Sequence, residues 1–205
     1  MLTYTTQSKG YDILRRIAER RAERIARDGH ALGASVPSER QVPLVGIPPA
    51  APGTAVSGPP RGTAGAAARQ PAAHTPGQAP PALLICEIKR RSPSRGPIVE
   101  DFDPAQAALR YVRAGAGAVS VLTEEDHFGG SLSDLIAVKR ALVGTDAPAL
   151  RPVLRKDFLL DEEDIELSYR AGADIVLLIA ALLDANTLAA LHARAAELGM
   201  AALVE

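Results

Sequence analysis

Leu83-Leu84-Ile85-Cys86-Glu87-Ile88-Lys89-Arg90-Arg91-Ser92-Pro93-Ser94-Arg95-Gly96 is the stretch whose reading decides the fold. A short apolar run with Pro before it and Ser, Pro and Gly after it reads as a buried strand emptying into a loop. Side chains alternate along a strand, so Leu83, Ile85, Glu87 and Lys89 share one face and Leu84, Cys86 and Ile88 the other. The second face is wholly apolar and suits packing against helices. The first ends in a carboxylate and an ammonium, and in parallel α/β folds ligands sit at that end of the strands. From spacing alone, a structural ion pair closing a sheet or barrel explains Glu87 and Lys89 equally well.

Downstream, strand and helix patterns alternate with short joints. Strands are predicted near 83–89, 117–123, 151–156, 174–180 and 201–205, and helices near 104–114, 131–143, 162–171 and 186–198. Asp103-Pro104 makes a helix start, with Asp103 as N-cap. Ala-Gly-Ala recurs at 114–116 and 171–173, each time between a helix and an apolar strand, where Gly can take the left-handed conformation that ends a helix. Such units imply a parallel sheet, either open and doubly wound or closed into a barrel. No Gly-x-Gly-x-x-Gly or Walker-type loop follows any strand, which weakens a nucleotide-binding reading.

Glu87-Ile88-Lys89 followed by Ser92-Pro93-Ser94-Arg95-Gly96 resembles the first strand and loop of the indole-3-glycerol phosphate synthase family. The resemblance continues through Ser120-Val121-Leu122-Thr123-Glu124, Phe128-Gly129-Gly130-Ser131, Leu154-Arg155-Lys156-Asp157-Phe158, Gly172-Ala173-Asp174, Leu177-Leu178-Ile179 and Leu203-Val204-Glu205. It implies a (β/α)8 TIM barrel over residues 82–205, of which about four and a half βα units are present. The chain therefore reads as C-terminally truncated, without the later-strand residues that hold phosphate, and is expected to be inactive alone.

That family closes the indole ring of 1-(2-carboxyphenylamino)-1-deoxyribulose 5-phosphate, with decarboxylation and dehydration, in tryptophan biosynthesis. The resemblance implies a carboxy-lyase that takes this small phosphosugar-anthranilate substrate and needs no cofactor and no metal. It assigns Lys156 as general acid, Lys89 to the substrate carboxylate, Glu87 to holding Lys89, and Glu205 to proton transfer during dehydration. Phe128 and Phe158 would wall the anthranilate ring, and Ser92 and Pro93 shape the first mobile loop. Arg155 and Asp157 point to the opposite face as a structural pair. Glu124, Asp126 and His127 lack a second His or Cys at ligand spacing and do not read as a metal site. Two other readings stand beside this one: another phosphosugar barrel such as phosphoribosylanthranilate isomerase, and a non-catalytic half-barrel that binds a partner.

The apolar fraction is that of a globular protein. The formal net charge is -1 and Trp is absent, so neither charge nor aromatic surface suggests nucleic acid. The single cysteine, Cys86, fits a reducing compartment and reads as core. No long uncharged apolar window and no signal-peptide core is present. A cytoplasmic protein, monomeric as a full barrel, with no membrane partner, is expected.

Upstream, residues 1–30 read as an amphipathic helix with Ile13, Leu14, Ile17, Ala18, Ala22 and Ile25 on one stripe and a solvated arginine face around it. Residues 31–81 are rich in Pro, Gly and Ala, with Glu39 the one acidic residue, and read as a disordered linker in which His30 and His74 are solvated.

Overall fold

The computed structural model describes residues 5–47, 83–98, 102–144 and 150–205. Helix α1 (Thr5–Asp28) precedes β1 (Ile85–Ile88), a small hairpin of β2 (Arg91–Ser92) and β3 (Gly96–Pro97), and α2 (Pro104–Arg113). Then come β4 (Ala118–Leu122), α3 (Leu132–Val143), β5 (Val153–Lys156), α4 (Glu162–Ala171), β6 (Ile175–Leu178), α5 (Ala185–Glu197) and β7 (Ala201–Val204). Among the described residues no helix is long and apolar enough to cross a membrane.

Five strands pair in parallel in the order β1-β4-β5-β6-β7, which is also their order in the chain. A doubly wound sheet reverses its order at a switch point. Here every unit adds its strand to the same side, which is the winding of a barrel.

The strand pattern explains the layers. Val119, Val121, Val153, Val176 and Leu178 face the helices and are buried with Leu135, Val138, Ile165 and Leu191. The other face carries a smaller cluster of Leu154, Ile175 and Leu177. On β1 the helix-facing side is only partly covered: Ile88 is buried, Cys86 half-buried and Leu84 exposed. Ile85 on β1 and Leu203 and Val204 on β7 are exposed because those strands form the two edges of the sheet.

The helix starts follow local chemistry. Asp103, Ser131, Asp161 and Asp184 each accept a first-turn N–H as N-caps. Both Ala-Gly-Ala glycines are left-handed, Gly115 at φ 101° and Gly172 at φ 102°. At Gly172 space is also limiting, since a Cβ would lie 2.9 Å from Lys139 Cγ.

The N-terminal ends of the strands are closed by a segment that composition misreads. Residues 31–47 fall in the expected linker, yet they pack across these ends. Arg40 donates to the Tyr169 carbonyl at 3.0 Å, to the Ala173 carbonyl at 2.6 Å and to Asp174 Oδ1 at 2.8 Å, with its guanidinium 5.1 Å from the Tyr169 ring centroid. The Val45 N–H donates to the same Asp174 oxygen at 2.9 Å. Proline removes ladder donors but not this anchorage, which rests on one arginine and one buried carboxylate. Residues 48–82, with His74, lie outside the described residues.

Asp174 Oδ2 accepts from Lys139 Nζ at 2.7 Å and from the Val153 N–H at 2.8 Å, so one buried carboxylate joins α3, β5, β6 and the 31–47 segment. Burial pushes the Lys139 and Arg40 pKa values below their ordinary range, against the pull of Asp174. Removing the carboxylate strands two buried cations, a loss of about 3–5 kcal/mol. Asp174→Ala should show that loss in urea unfolding of the chain; a change below about 1 kcal/mol would contradict this closure.

Candidate active site at the strand ends

Glu87 lies on the inner face of β1, and Lys89 follows one alternation later, just past the strand. Lys156 ends β5, paired in register with Leu122 of β4. Lys89 Nζ donates to Glu87 Oε1 at 2.5 Å, and Lys156 Nζ lies 3.4 Å from Glu87 Oε2. One carboxylate thus sits between two ammoniums from strands that are not neighbours, leaving a net positive charge. Their side chains are 29–37% exposed, so water reaches all three. Ser120, opposite Glu87 in the β1–β4 register, is buried; among the described residues its hydroxyl has no hydrogen-bond partner.

Two loops frame this cluster. After β4, in the Phe128-Gly129-Gly130-Ser131 run, the last three positions each have a physical reason. Gly129 is left-handed at φ 68°, and a Cβ on Gly130 would lie 2.0 Å from the Leu122 carbonyl oxygen. Ser131 then caps α3, its Oγ accepting from the Asp134 N–H at 3.1 Å. Phe128 is half-buried and Phe158, after β5, is buried. After β1, the β2–β3 hairpin holds Ser92 and Pro93. The Ser92 Oγ accepts from the Arg95 N–H at 3.3 Å, and Pro93 is exposed. The loops are stitched together: the Arg91 N–H donates to the Phe128 carbonyl at 3.2 Å, and the Arg91 guanidinium to the Glu125 and Asp126 carbonyls. Glu205 is exposed at the end of β7, two strands from Lys156, and the ion pairs leave it outside the Glu87 group.

Behind Lys156 lies a buried network. Arg155 donates to Asp157 Oδ2 at 2.8 Å, to Thr123 Oγ1 at 3.1 Å and to Ser168 Oγ at 2.9 Å. Thr123 Oγ1 donates in turn to Asp157 at 2.6 Å, and the Phe158 N–H donates to Asp157 Oδ1 at 2.8 Å. The expected structural role of this pair matches the geometry.

The arginine face of α1, read as solvated, is engaged instead. Arg21 is 4% exposed and lies 3.4 Å from Asp157 and 3.6 Å from Asp164. Arg24 pairs with Glu125 at 2.7 Å and with Asp126 at 3.1 Å. The available signal was spacing, because Ile17, Arg21 and Arg24 fall on one helical face and Ile17 is buried. His30, expected to be solvated, lies 2.9 Å from Asp161 and 3.3 Å from Glu163.

His30, Asp161 and Asp164 also place one ligand atom each within 4.8 Å of one another. Asp161 is already the α4 N-cap and Arg21 faces Asp164, so hydrogen bonds and a cation account for the cluster.

Sequence comparison places this geometry. The indole-3-glycerol phosphate synthase family model matches residues 72–205, well over half of the chain. The chain belongs to the indole-3-glycerol phosphate synthase family. An indole-3-glycerol phosphate synthase from Nocardioides sp. is 52% identical over 122 residues, which are 60% of this chain and 44% of the relative. One from Parafrankia sp. is 52% identical over 128 residues, 62% and 45% respectively. Another, from Roseiflexus castenholzii, is 49% identical over 125 residues, 61% and 46%. The chain thus spans less than half the length of these relatives. Within the indole-3-glycerol phosphate synthase family the five-stranded sheet is part of a TIM barrel, and the Glu87 cluster stands at its C-terminal rim.

Burial pushes the Asp157 pKa up, but Arg155, Arg21 and the two side-chain hydrogen bonds together outweigh it and hold the carboxyl below its usual range. A depressed carboxyl stabilises fully above the unfolded value, about 4, and the benefit is lost as pH falls through the native value. Asp164 runs the other way: burial holds its pKa up, so its cost eases in acid. Asp157→Asn should therefore be less stable than the parent at pH 7 and lose less stability than the parent below pH 4. Parallel acid limbs in urea-unfolding series would contradict the assignment.

Proposed function

We propose that the protein acts as an indole-3-glycerol phosphate synthase, a carboxy-lyase closing the indole ring of 1-(2-carboxyphenylamino)-1-deoxyribulose 5-phosphate in tryptophan biosynthesis. The observation that carries this reading is the Glu87 carboxylate set between Lys89 and Lys156 at the strand ends. It gains weight from the family match and from relatives that bear this name.

The reaction moves protons and breaks carbon bonds without net oxidation, so acids, bases and charge suffice. As the ring carbon bearing the carboxylate attacks the ketone, Lys156 delivers a proton to the carbonyl oxygen, which becomes a hydroxyl. The Lys89 ammonium holds the substrate carboxylate until it leaves as carbon dioxide, its electron pair restoring the aromatic ring. Loss of that hydroxyl as water, with a proton from the former ketone's neighbouring carbon or the ring nitrogen, completes the indole. Glu205 takes part in this proton transfer. Glu87 orients both lysines, and one carboxylate shared by two ammoniums leaves positive charge for the anionic substrate.

Phe128 and Phe158 supply apolar walls for the anthranilate ring, and Ser92 and Pro93 shape the loop above it. The steps require no metal or organic cofactor. The protein works in the cytoplasm as a monomer, on a small molecule and not on nucleic acid or membrane.

The test follows indole-3-glycerol phosphate by its fluorescence. The chain would be assayed both alone and joined in frame to the C-terminal strands of the Nocardioides sp. relative. The joined protein should turn over, and Lys156→Ala should lower kcat about 100-fold to 10000-fold, the usual contribution of a positioned acid. A folded joined protein without turnover, or one indifferent to Lys156→Ala, would contradict the proposal.

A further inference from the structure

We infer that Glu124 is the positioning residue of the mouth: its carboxylate folds the loop that presents Phe128 and, through Phe128, fixes the loop after β1. This inference rests on the proposed reaction only for its kinetic consequence.

Glu124 follows β4 and is 4% exposed, an uncommon place for a carboxylate. Such a group must be satisfied by cations or donors. Here backbone N–H groups satisfy it. Oε2 accepts from the His127 N–H at 2.8 Å and the Phe128 N–H at 3.0 Å. Oε1 accepts from the Asp126 N–H at 3.2 Å and lies 3.1 Å from His127 Nδ1. The Glu124 carbonyl also accepts from the Gly130 N–H at 2.9 Å. A single residue therefore fixes five successive positions, 126 to 130, directly or through their neighbours.

The chain of contacts continues outward. With the Phe128 N–H held by Glu124, its carbonyl accepts from the Arg91 N–H, and Arg91 begins the hairpin bearing Ser92 and Pro93. The Arg91 guanidinium grips the Glu125 and Asp126 carbonyls, and Arg24 of α1 holds their side chains. Charge on the outer side and an N–H nest on the inner side thus define one conformation for Phe128. If Phe128 forms one wall of the ring site, Glu124 acts on substrate through it without touching substrate.

Geometry distinguishes this role from a general stabilising one. A residue that merely supports the fold would loosen the sheet when removed. Among the described residues Glu124 bonds only to its own loop, so its loss should loosen that loop and leave the strands.

Amide hydrogen exchange on the full chain reads the first consequence. Glu124→Ala should speed exchange at His127, Phe128 and Arg91 at least tenfold, with Val119 and Leu154 unchanged. Glu124→Gln keeps one acceptor oxygen and should loosen the loop to an intermediate degree. Steady-state kinetics on the joined protein read the second. Glu124→Ala should raise KM about tenfold with kcat within a factor of three, and should add nothing further to Phe128→Ala. Unchanged exchange at Phe128 and Arg91 would overturn the inference, as would a KM that does not move, or one whose increase adds to that of Phe128→Ala. If the parent joined protein shows no turnover, the functional reading fails, and the exchange result alone decides the role of Glu124.

Discussion

The register of β5 is the constraint on which the rest depends. Along Val153-Leu154-Arg155-Lys156 alternate side chains face the helices and the interior, so a one-residue slip would exchange Arg155 and Lys156. Hydrophobic pattern alone holds such a register weakly, because arginine and lysine are nearly equal in polarity. Arg155 settles it. Its guanidinium is fully buried on the helix side and bound to Asp157, Thr123 and Ser168, partners that a slip would leave behind. A buried pair of this kind adds little stability over an apolar pair, but its misplacement costs several kcal/mol. Its value here is the fixed inward direction of Lys156, and with it the meeting of Lys156 and Glu87.

The same division of labour runs through the two ends of the sheet. At the N-terminal ends a carboxylate, Asp174, is fully sequestered between Lys139 and Arg40, and its contacts serve closure. At the C-terminal ends Glu87 stands between Lys89 and Lys156 with about a third of each side chain in water. Chemically the two clusters are alike, one carboxylate and two cations. Solvent access separates them: a dry cluster is locked, and a wet one can exchange a partner for a ligand. Helix α1 ties the second end together, with Arg21 reaching Asp157 just past the C-terminal end of β5 and Arg24 the loop of Phe128.

Most of the barrel segment was legible from residue 83 onward, because alternating apolar runs, caps such as Asp103-Pro104 and the two left-handed glycines act locally. Each strand of the five-stranded sheet and each helix packed on it lies within two or three residues of its expected place, whereas the β2–β3 hairpin falls where a loop was expected. The inward direction of Glu87 and Lys156 followed from alternation. What escaped the sequence depends on distant partners. Arg40 sits in a proline-rich, polar stretch that composition alone reads as a linker, and only Asp174, over a hundred residues away, reveals its role. Arg21 and Arg24 look solvated until Asp157 and Glu125 are seen beside them. Glu124 does not read as a metal ligand in the sequence, and what it does, accepting the backbone N–H groups of Asp126 and His127, has no local sequence signal.

The central claim is that ligand enters at the Glu87 end of the sheet and not at the Asp174 end. Nitrogen-15 chemical shifts of the chain, titrated with the C2 alcohol of the proposed substrate, which cannot cyclise, test it most directly. The account predicts shifts at the Lys89, Phe128, Lys156 and Phe158 amides, with Val45 and Asp174 silent. Shifts centred on Val45 and Asp174, or none at the strand-end lysines as the alcohol is raised to millimolar concentration, would contradict it.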